Sequence, residues 1–291
     1  MRLAIRGDKV LVRAPAKVNF FLEVLGKRPD GYHEIATLMV AVGLMDTLVF
    51  KEEPDLSLVC NRPDLSTGHD NLVLRAARLL KERTGCAKGA HIRLTKRIPM
   101  AAGLAGGSTD AAATLWGLSR LWNLDLTQED LEKMGAELGS DVPFFFHTPA
   151  AWCTGRGEIV SPMPLGRMLD LVLLCPNFGC PTAQVYKNVT VPAAAENGEA
   201  IRHALEMGAI TEIGRLLFNR LQAAAEKLAP AIATYHHRLA RLMPAGQLMS
   251  GSGSSLFALC RDRPEAERLA QELRHGADRE LFTVFLVRSC S

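Results

Sequence analysis

The sequence has few aromatic residues and no long apolar run. Aromatic residues make up 6% of its 291 positions, and no apolar stretch approaches the ~18 residues that a membrane-spanning helix needs. The N-terminal segment carries charges at Arg2, Arg6, Asp8, Lys9 and Arg13. That pattern leaves no room for the apolar centre of a signal peptide. We therefore expect neither a membrane span nor a secretion signal.

The chain also lacks closely paired cysteines. Its seven cysteines include no Cys-x-x-Cys pair, whereas a secreted disulfide framework or a zinc site usually shows paired spacing. Scattered cysteines are typical of a reducing compartment. We expect free thiols, a cytoplasmic protein and no resident metal site.

Neither sign of charge is in strong excess. The 34 basic and 31 acidic residues give a formal net charge of +3, and this balance argues against a nucleic-acid-binding protein, which would carry a strongly basic face. A hydrophobic fraction of 48% is ordinary for a globular protein with a packed core. The length suggests two domains. Glycines and prolines near 155–168 place the boundary there, which gives segments 1–160 and 161–291.

Residue patterns predict a strand-rich beginning followed by helices. Apolar segments separated by glycine and proline predict strands at Val10–Val12, Val18–Val24, Ile35–Val42, Thr47–Phe50 and Leu56–Val59. Apolar residues at helical spacing predict helices over Asn71–Arg83 and Ser108–Trp122, with a strand at His91–Leu94. Thr127 and Asp130 have the spacing of a capping box, which predicts a helix that ends near Leu138.

The second half of the sequence alternates irregularly. It predicts strands at Leu169–Cys175, Leu256–Cys260 and Leu281–Val287, three or four helices within 182–242, and a helix near Pro264–Arg274. Strands and helices in irregular order favour an α+β architecture over a doubly wound sheet.

A glycine-rich segment, Pro99–Thr109, fits phosphate binding. Gly103, Gly106 and Gly107 let the backbone approach an anion without a Cβ in the way. We expect Ser108 to cap the following helix, whose first amides and dipole would then face the loop. The segment lacks the Gly-Lys-Ser/Thr of a Walker A loop. The alternative is a glycine-containing turn that binds nothing; three glycines before a helix opening favour phosphate.

Two further segments place polar side chains where they could reach a cleft or a charged partner. The period of two along a strand places Lys17 and Asn19 on the face opposite the apolar side chains. Asp141 follows a predicted helix end, where the dipole disfavours a carboxylate and a nearby cation would help. A solvated lysine and a turn aspartate are the alternatives, and position alone does not choose between them.

Together, these segments resemble the GHMP family of small-molecule kinases. Matching stretches are Ala14–Asn19, Arg28–His33, Asp70–Val73, Ile98–Ala111, Leu138–Pro143, Asn177–Thr182 and Ser250–Ser255. The stretch Asp30–His33 is the most discriminating, because it marks the branch of the family whose substrate is a cytidine diphosphate derivative. Other members, such as homoserine or mevalonate kinases, are not expected to carry it.

The resemblance implies a two-lobed α+β fold with the active site in the cleft between lobes. It implies an ATP- and Mg²⁺-dependent kinase of isoprene biosynthesis that acts on a small cytidine diphosphate substrate, as a monomer or homodimer, without nucleic-acid or membrane partners. Asp141 would be the catalytic base and Lys17 its partner. The implied ATP-binding residues are Asn71, Lys96, Pro99, Met100, Ala101, Ala102, Gly103, Leu104, Ala105, Gly106, Gly107, Ser108 and Thr109. The implied substrate-binding residues are Asn19, Tyr32, His33, Thr182 and Tyr186.

The loop departs from the family in carrying alanine at Ala101, Ala102 and Ala105, where close relatives often have glycine. We expect Ala105 to lie where the backbone needs a positive φ. A non-catalytic binding protein with this fold is a further alternative. The presence of Lys17, Asp141 and the loop glycines argues against it, since function depends on the site rather than the fold.

Overall fold

The computed structural model describes residues 1–275 and 279–291 and contains two compact units that alternate along the chain. One unit comprises Met1–Ala16, Leu44–Ile98 and Ala105–Phe146, and the other comprises Lys17–Gly43, Pro99–Leu104 and His147–Ser291. The sequence instead predicted two consecutive segments, 1–160 and 161–291. Their assignment as functional lobes stays a prediction.

The first unit combines paired strands with three helices. Strand β1 (Arg2–Arg6) pairs antiparallel with the beginning of β2 (Lys9–Lys27). The end of β3 (His33–Glu53) pairs antiparallel with β5 (Gly89–Thr95), which pairs parallel with β4 (Leu56–Cys60). The helices are α1 (Leu72–Thr84), α2 (Gly106–Leu121) and α3 (Gln128–Leu138), and a 3₁₀ turn follows at Pro143–Phe146.

Local capping explains where the outer helices of this unit begin and end. The Asn71 side chain accepts a hydrogen bond from the Val73 amide at the start of α1, and Gly85 ends that helix in a left-handed conformation. Thr127 and Asp130 form the predicted capping box of α3. Helix α2 packs against Phe50 through Gly117, where an added Cβ would lie 2.4 Å from the ring. Glycine is therefore needed for this close approach.

The second unit contains a four-stranded antiparallel sheet in the order β10-β11-β8-β12. These strands are β8 (Asp170–Pro176), β10 (Gly246–Met249), β11 (Leu256–Cys260) and β12 (Phe282–Arg288). Strands β6 (Ala150–Thr154) and β7 (Ile159–Met163) form a hairpin on the first part of β3, and β9 (Phe218–Asn219) pairs with β2. The helices are α4 (Thr182–Lys187), α5 (Glu199–Met207), α6 (Ile210–Leu216), α7 (Gln222–Leu228), α8 (Ala231–Arg241) and α9 (Arg263–Arg274).

Burial in the second unit follows from the helices that cover its sheet. Every residue of β8 is buried, and helix α9 packs on β8 and β12. The core beneath these helices contains Leu174, Leu221, Ile232, Leu256 and Leu269. Within the described ranges, no helix is both long and apolar enough to cross a bilayer.

The predicted α+β architecture is confirmed, with corrections to single elements. The strands predicted at Val10–Val12 and Val18–Val24 are one continuous strand, β2, and those at Ile35–Val42 and Thr47–Phe50 are both part of β3. The prediction that Ser108 caps α2 is wrong. The helix begins at Gly106 with Ala105 as its N-cap residue, and no side chain caps it, because the left-handed turn at Ala105 starts the helix earlier than the sequence indicated.

Candidate active site

The segment Pro99–Leu104 packs on the late glycine-serine stretch within the second unit. The Ser250 hydroxyl donates a hydrogen bond to the Gly103 carbonyl (2.9 Å), and the Ser255 amide donates to the Ala102 carbonyl (3.2 Å). Gly103 has a φ of +73°, and a Cβ there would lie 2.1 Å from the Ser250 carbonyl oxygen. Glycine is therefore required at this position for both conformation and space.

The first amides of helix α2, in the first unit, have no partner within the helix. Its first intrahelical hydrogen bond runs from the Thr109 amide to the Ala105 carbonyl (3.0 Å), so the amides of Gly106, Gly107 and Ser108 precede it. Ala105 has a φ of +54°, the left-handed conformation expected from the sequence. Amides without an intrahelical partner and the helix dipole make this end suited to a phosphate group.

Two buried oxygens near this helix start have no hydrogen-bond partner among the described residues. They are Thr109 Oγ1 and Asp110 Oδ1. A buried polar atom without a partner is costly, so these atoms fit a bound ligand or water. In the described part of the chain, no group of three or more His, Cys, Asp or Glu side chains is arranged to hold a metal ion.

The ammonium of Lys96 is buried between two carboxylates in the first unit. It donates to Asp46 and to Asp110, the latter at 2.7 Å. Burial would lower the pKa of Lys96, but the charges of Asp110 and Asp46 outweigh burial and raise it. Burial raises the pKa of Asp110 well above its ordinary value; Lys96 opposes this shift and Asp46 adds to it. The structure thus shows the ammonium of Lys96 engaged inside the protein.

Asn71 and Asp141 lie at helix ends of the first unit. Asn71 is buried, caps α1 and donates from Nδ2 to the Ser66 carbonyl (2.5 Å). Asp141 lies after α3 and before the 3₁₀ turn and is half-buried. The Val142 amide next to it donates to the Gly139 carbonyl (3.2 Å). The sequence placed Asp141 correctly just beyond a helix end.

Lys17 begins a buried polar chain in the second unit and is only 3% exposed. Its ammonium donates to Asn19 Oδ1 (2.6 Å), and Asn19 Nδ2 donates to Thr37 Oγ1 (2.8 Å). The Thr37 hydroxyl donates in turn to the Phe21 carbonyl (2.6 Å). The alternative of a solvated lysine is therefore wrong, and the shared face predicted for Lys17 and Asn19 is confirmed.

The late glycine-serine stretch lies beside this polar chain. A Cβ at Gly251 would lie 3.3 Å from Lys17 Nζ and 3.4 Å from Asn19 Oδ1. The Asn219 side chain holds the stretch in place by donating to the carbonyls of Met249 and Gly251, both at 2.8 Å. Neither Asn219 nor Thr37 was identified from the sequence, because neither lies in a motif that signals chemistry.

The residues expected to bind substrate lie in the second unit, and several of their side chains pair with one another. The rings of His33 and Tyr186 are 5.2 Å apart between centroids and tilted by 31°. The hydroxyls of Thr182 and Ser252 are 2.9 Å apart. The pKa of His33 is lowered by burial and, to a lesser degree, by Lys27. A neutral imidazole, with one donor and one acceptor nitrogen, therefore prevails near neutral pH.

Tyr32 is 54% exposed and lies on a loop fixed to the β6–β7 turn. The Arg156 guanidinium lies 4.8 Å from the Tyr32 ring centroid, so it covers one face of the ring. The Gly155 amide of that turn donates to Glu34 Oε1 (3.1 Å), and Arg28 donates to the other Glu34 oxygen (2.5 Å). No signal in the sequence identifies Arg156, since its partner is distant along the chain.

The predicted residues thus fall into two groups. The second unit brings together Lys17, Asn19, Gly103 and the late glycine-serine stretch, and it pairs His33 with Tyr186. The first unit brings Lys96 next to the start of α2. Asp141 belongs to the first unit and Lys17 to the second, and their pairing stays a prediction.

Comparison with known proteins agrees with this assembly of motifs. The family described as GHMP kinases N terminal domain matches residues 71–148, and GHMP kinases C terminal matches residues 200–278. The chain belongs to the GHMP kinase family. As a member it is a small-molecule kinase whose phosphoryl donor is ATP, and the resemblance drawn from the motifs is confirmed.

Individual proteins within the family are similar to this chain over most of its length. A 4-diphosphocytidyl-2-C-methyl-D-erythritol kinase from Gloeobacter violaceus is 38% identical over 94% of this chain and 93% of its own. The enzyme of that name from Symbiobacterium thermophilum is 41% identical, over 90% and 95%. A crystal structure of 4-(cytidine 5'-diphospho)-2C-methyl-D-erythritol kinase superposes with a TM-score of 0.82 and 35% identity, covering 97% of this chain and 99% of that one. A homoserine kinase from Cytophaga hutchinsonii, at 18% identity and a TM-score of 0.77, shares the fold.

Proposed function

We propose that this kinase transfers the γ-phosphoryl group of ATP to the 2-hydroxyl of 4-diphosphocytidyl-2-C-methyl-D-erythritol, in the non-mevalonate isoprenoid pathway. The observation that carries the proposal is the likeness to enzymes of that name, which are 38–41% identical over at least 90% of the chain. Homoserine and mevalonate kinases share the fold at 18% identity or less. The stretch Asp30–His33 supports the same substrate, because homoserine and mevalonate kinases are not expected to carry it.

We propose that ATP binds along Pro99–Thr109, with Asn71 nearby. The glycines of this segment and the first amides of α2 would hold its phosphates without protein charge, as backbone amides do in other anion sites. Magnesium, when bound, would bridge phosphate oxygens and neutralise their charge, and the hydroxyls of Ser108 and Thr109 are suited to lie beside it. The Thr109 oxygen has no other partner among the described residues, which supports this role.

Asp141 is the proposed general base and Lys17 its charged partner. Phosphoryl transfer needs mostly positioning and charge stabilisation. Asp141 would accept the proton from the attacking hydroxyl. Lys17 would keep that carboxylate ionised and stabilise charge on the transferred group. The burial of Lys17 supports this role, because an ammonium is rarely retained in an interior without a charged or polar function.

Substrate recognition is proposed to rest on Tyr32, His33, Thr182, Tyr186 and Asn19. Tyr32 and Tyr186 would stack on the cytosine ring, which in nucleic-acid complexes contributes roughly 1–3 kcal/mol per base. Neutral His33 offers one donor and one acceptor to the polar edge of the base or to a phosphate. Thr182 and Asn19 would add polar contacts.

We also propose that the enzyme works in the cytoplasm as a monomer or homodimer. All seven cysteines lie within the described residues and none forms a disulfide bond, which suits a reducing compartment.

An assay that compares acceptors tests the proposed function. The purified protein is incubated with ATP, Mg²⁺ and one of three alcohols: 4-diphosphocytidyl-2-C-methyl-D-erythritol, homoserine or mevalonate. Phosphorus NMR is expected to show a new phosphomonoester signal with the first alcohol alone. Phosphorylation of homoserine or mevalonate instead would contradict the substrate assignment. An absence of ADP release with all three would contradict the catalytic assignment.

A further inference from the structure

A buried cluster of charges in the first unit has no part in the chemistry proposed above. It consists of Asp46, Lys96 and Asp110, whose side chains are 0%, 4% and 4% exposed. Charged groups are seldom buried this fully unless they are paired and hydrogen-bonded. The cluster contains two carboxyl groups and one ammonium. Packing of the core does not require ionisable groups, so the cluster calls for another explanation.

The position of the cluster along the chain relates it to the phosphate segment. Lys96 lies just before Pro99, where the segment begins, and Asp110 lies just after Thr109, where it ends. The hydrogen bond from Lys96 Nζ to Asp110 Oδ2 (2.7 Å) therefore ties the two ends together. Both ends belong to the first unit, whereas Pro99–Leu104 belongs to the second.

Asp46 completes the tie from strand β3, just before the part of that strand that pairs with β5. One of its oxygens accepts hydrogen bonds from the amides of Arg97 (2.6 Å) and Ile98 (2.9 Å), and the other accepts from Lys96 Nζ. Three consecutive residues before the segment are thus bound to a single carboxylate. Each of these bonds is charge-assisted, which makes it stronger than a bond between neutral groups.

The start of α2 lies close to the same ammonium. A Cβ at Gly106 would lie 3.0 Å from Lys96 Nζ, so the glycine allows this approach. A cation is disfavoured at a helix N-terminus, where the dipole is positive. Asp46 and Asp110 offset that repulsion by accepting hydrogen bonds from the ammonium.

We propose that Asp46, Lys96 and Asp110 form a clamp that holds the two ends of the phosphate segment at the spacing that bound triphosphate requires. They are positioning residues, and Lys96 acts on ATP through the segment rather than by touching adenine. The inference rests on the proposed phosphate role of Pro99–Thr109. It does not depend on which alcohol is phosphorylated.

The contacts predict an order of severity among three variants. Lys96→Met removes the ammonium that joins the two carboxylates, although the amides of Arg97 and Ile98 can still donate to Asp46. Asp46→Asn keeps one side-chain oxygen, which can still accept from the amides of Arg97 and Ile98. It replaces the other oxygen, which accepts from Lys96, with an NH₂ group that cannot accept. Asp110→Asn is the mildest change, because Asp110 accepts from Lys96 alone and its other oxygen has no partner among the described residues.

Binding of inorganic tripolyphosphate, measured beside ATP, tests the clamp. Isothermal calorimetry gives the Kd of each ligand for the full-length wild type and the three variants. Loosening the segment is expected to weaken both ligands by the same factor, about tenfold or more for Lys96→Met and Asp46→Asn, and less for Asp110→Asn. Arg83→Met, which removes an exposed ion pair with Glu137 in the same unit, is the matched control and should change neither Kd.

The competing explanations give different results. If Lys96 contacts adenine, Lys96→Met weakens ATP but leaves tripolyphosphate unchanged, and the clamp is overturned. Unchanged affinity for both ligands overturns it as well. If Lys96→Met does not fold, the same comparison is made with Asp110→Asn, which keeps the side-chain shape; equal weakening of both ligands supports the clamp, and any other result rejects it. Failure of the acceptor assay would leave these binding results intact, so the two proposals fail separately.

Discussion

Ala105 is a position where a substitution by glycine should stabilise the protein. Its φ of +54° and ψ of +34° lie in the left-handed region, where a residue with a Cβ costs roughly 1–2 kcal/mol. Glycine at this position would remove that strain. Glycine would also give the unfolded chain more conformational freedom, and this lowers the free energy of unfolding by about 0.4–1 kcal/mol. We expect Ala105→Gly to raise the free energy of unfolding by roughly 0.5–1 kcal/mol.

Thermal and urea unfolding measure this gain. A protein of this size should show a rise in Tm of about 1–3 °C, with an unchanged urea m-value because the surface exposed on unfolding is the same. Ala136→Gly is the matched control. It makes the same chemical change within helix α3, where glycine is expected to cost up to about 1 kcal/mol.

The comparison of the two variants decides the matter. Because the left-handed backbone is kept, Ala105→Gly should leave KM for ATP within about twofold of wild type. A Tm for Ala105→Gly that is equal to or below that of wild type would refute the assignment of strain at this position. Equal destabilisation in both variants would mean that Ala105 behaves as an ordinary helical residue.

Three further predictions concern the catalytic base, the phosphate segment and a buried ion pair. Asp141→Asn should lower kcat by at least about a hundredfold while ADP binds with unchanged affinity in calorimetry. Gly103→Ala should lose most activity and stability, because its Cβ would lie 2.1 Å from the Ser250 carbonyl oxygen; circular dichroism and kcat measure both effects. Arg220→Met should destabilise the protein by about 3 kcal/mol, measured by urea unfolding, since it leaves the buried Glu23 without its bidentate partner (2.7 and 2.8 Å). The same pair predicts a pH dependence: although burial alone would raise the pKa of Glu23, hydrogen bonds from Arg220 and two backbone amides lower it. The stabilising contribution of Glu23 is therefore present above the ordinary glutamate pKa and is lost as pH falls through the lowered value.

Each of these has a clear contrary result. Near-normal kcat in Asp141→Asn would remove Asp141 as the base. A fully active Gly103→Ala enzyme would mean that the segment does not pack on Ser250. Wild-type stability in Arg220→Met would show that the carboxylate of Glu23 is hydrated. Stability differences between Arg220→Met and wild type that do not shrink in acid would contradict the assigned pKa direction.

Local signals in the sequence were sufficient for the motifs and for several helices. They were not sufficient within 182–242, where three or four helices were predicted and five are present, or for the start of α2. The capping box of α3 depends on Thr127 and Asp130, three residues apart, and both bonds form. The positive φ expected at Ala105 is likewise a local property of one turn. Strand β2 was predicted in two pieces because Pro15 usually interrupts a strand. The burial of Ala14 and Ala16 in the core shows that packing keeps the chain extended there.

The parts of the site that the sequence missed depend on distant partners. The family resemblance placed Lys96 beside the nucleotide, and only its bond to Asp46, fifty residues away in the sequence, shows its ammonium to be internal. Asn219 supports the late glycine-serine stretch through two carbonyls and resembles any other asparagine in the sequence. Arg156 covers Tyr32 from a different hairpin. Such contacts are created by the tertiary structure and leave no mark in spacing or composition.

The alternation of the two units has a consequence for how this enzyme can be divided. Their six chain segments alternate, so the backbone passes from one unit to the other five times. A truncation after residue 160 would keep Lys17–Gly43 but discard most of the unit to which it belongs. We therefore expect that neither half can be expressed alone as a folded fragment, and that recombination with a related kinase at a single junction would mix incomplete cores.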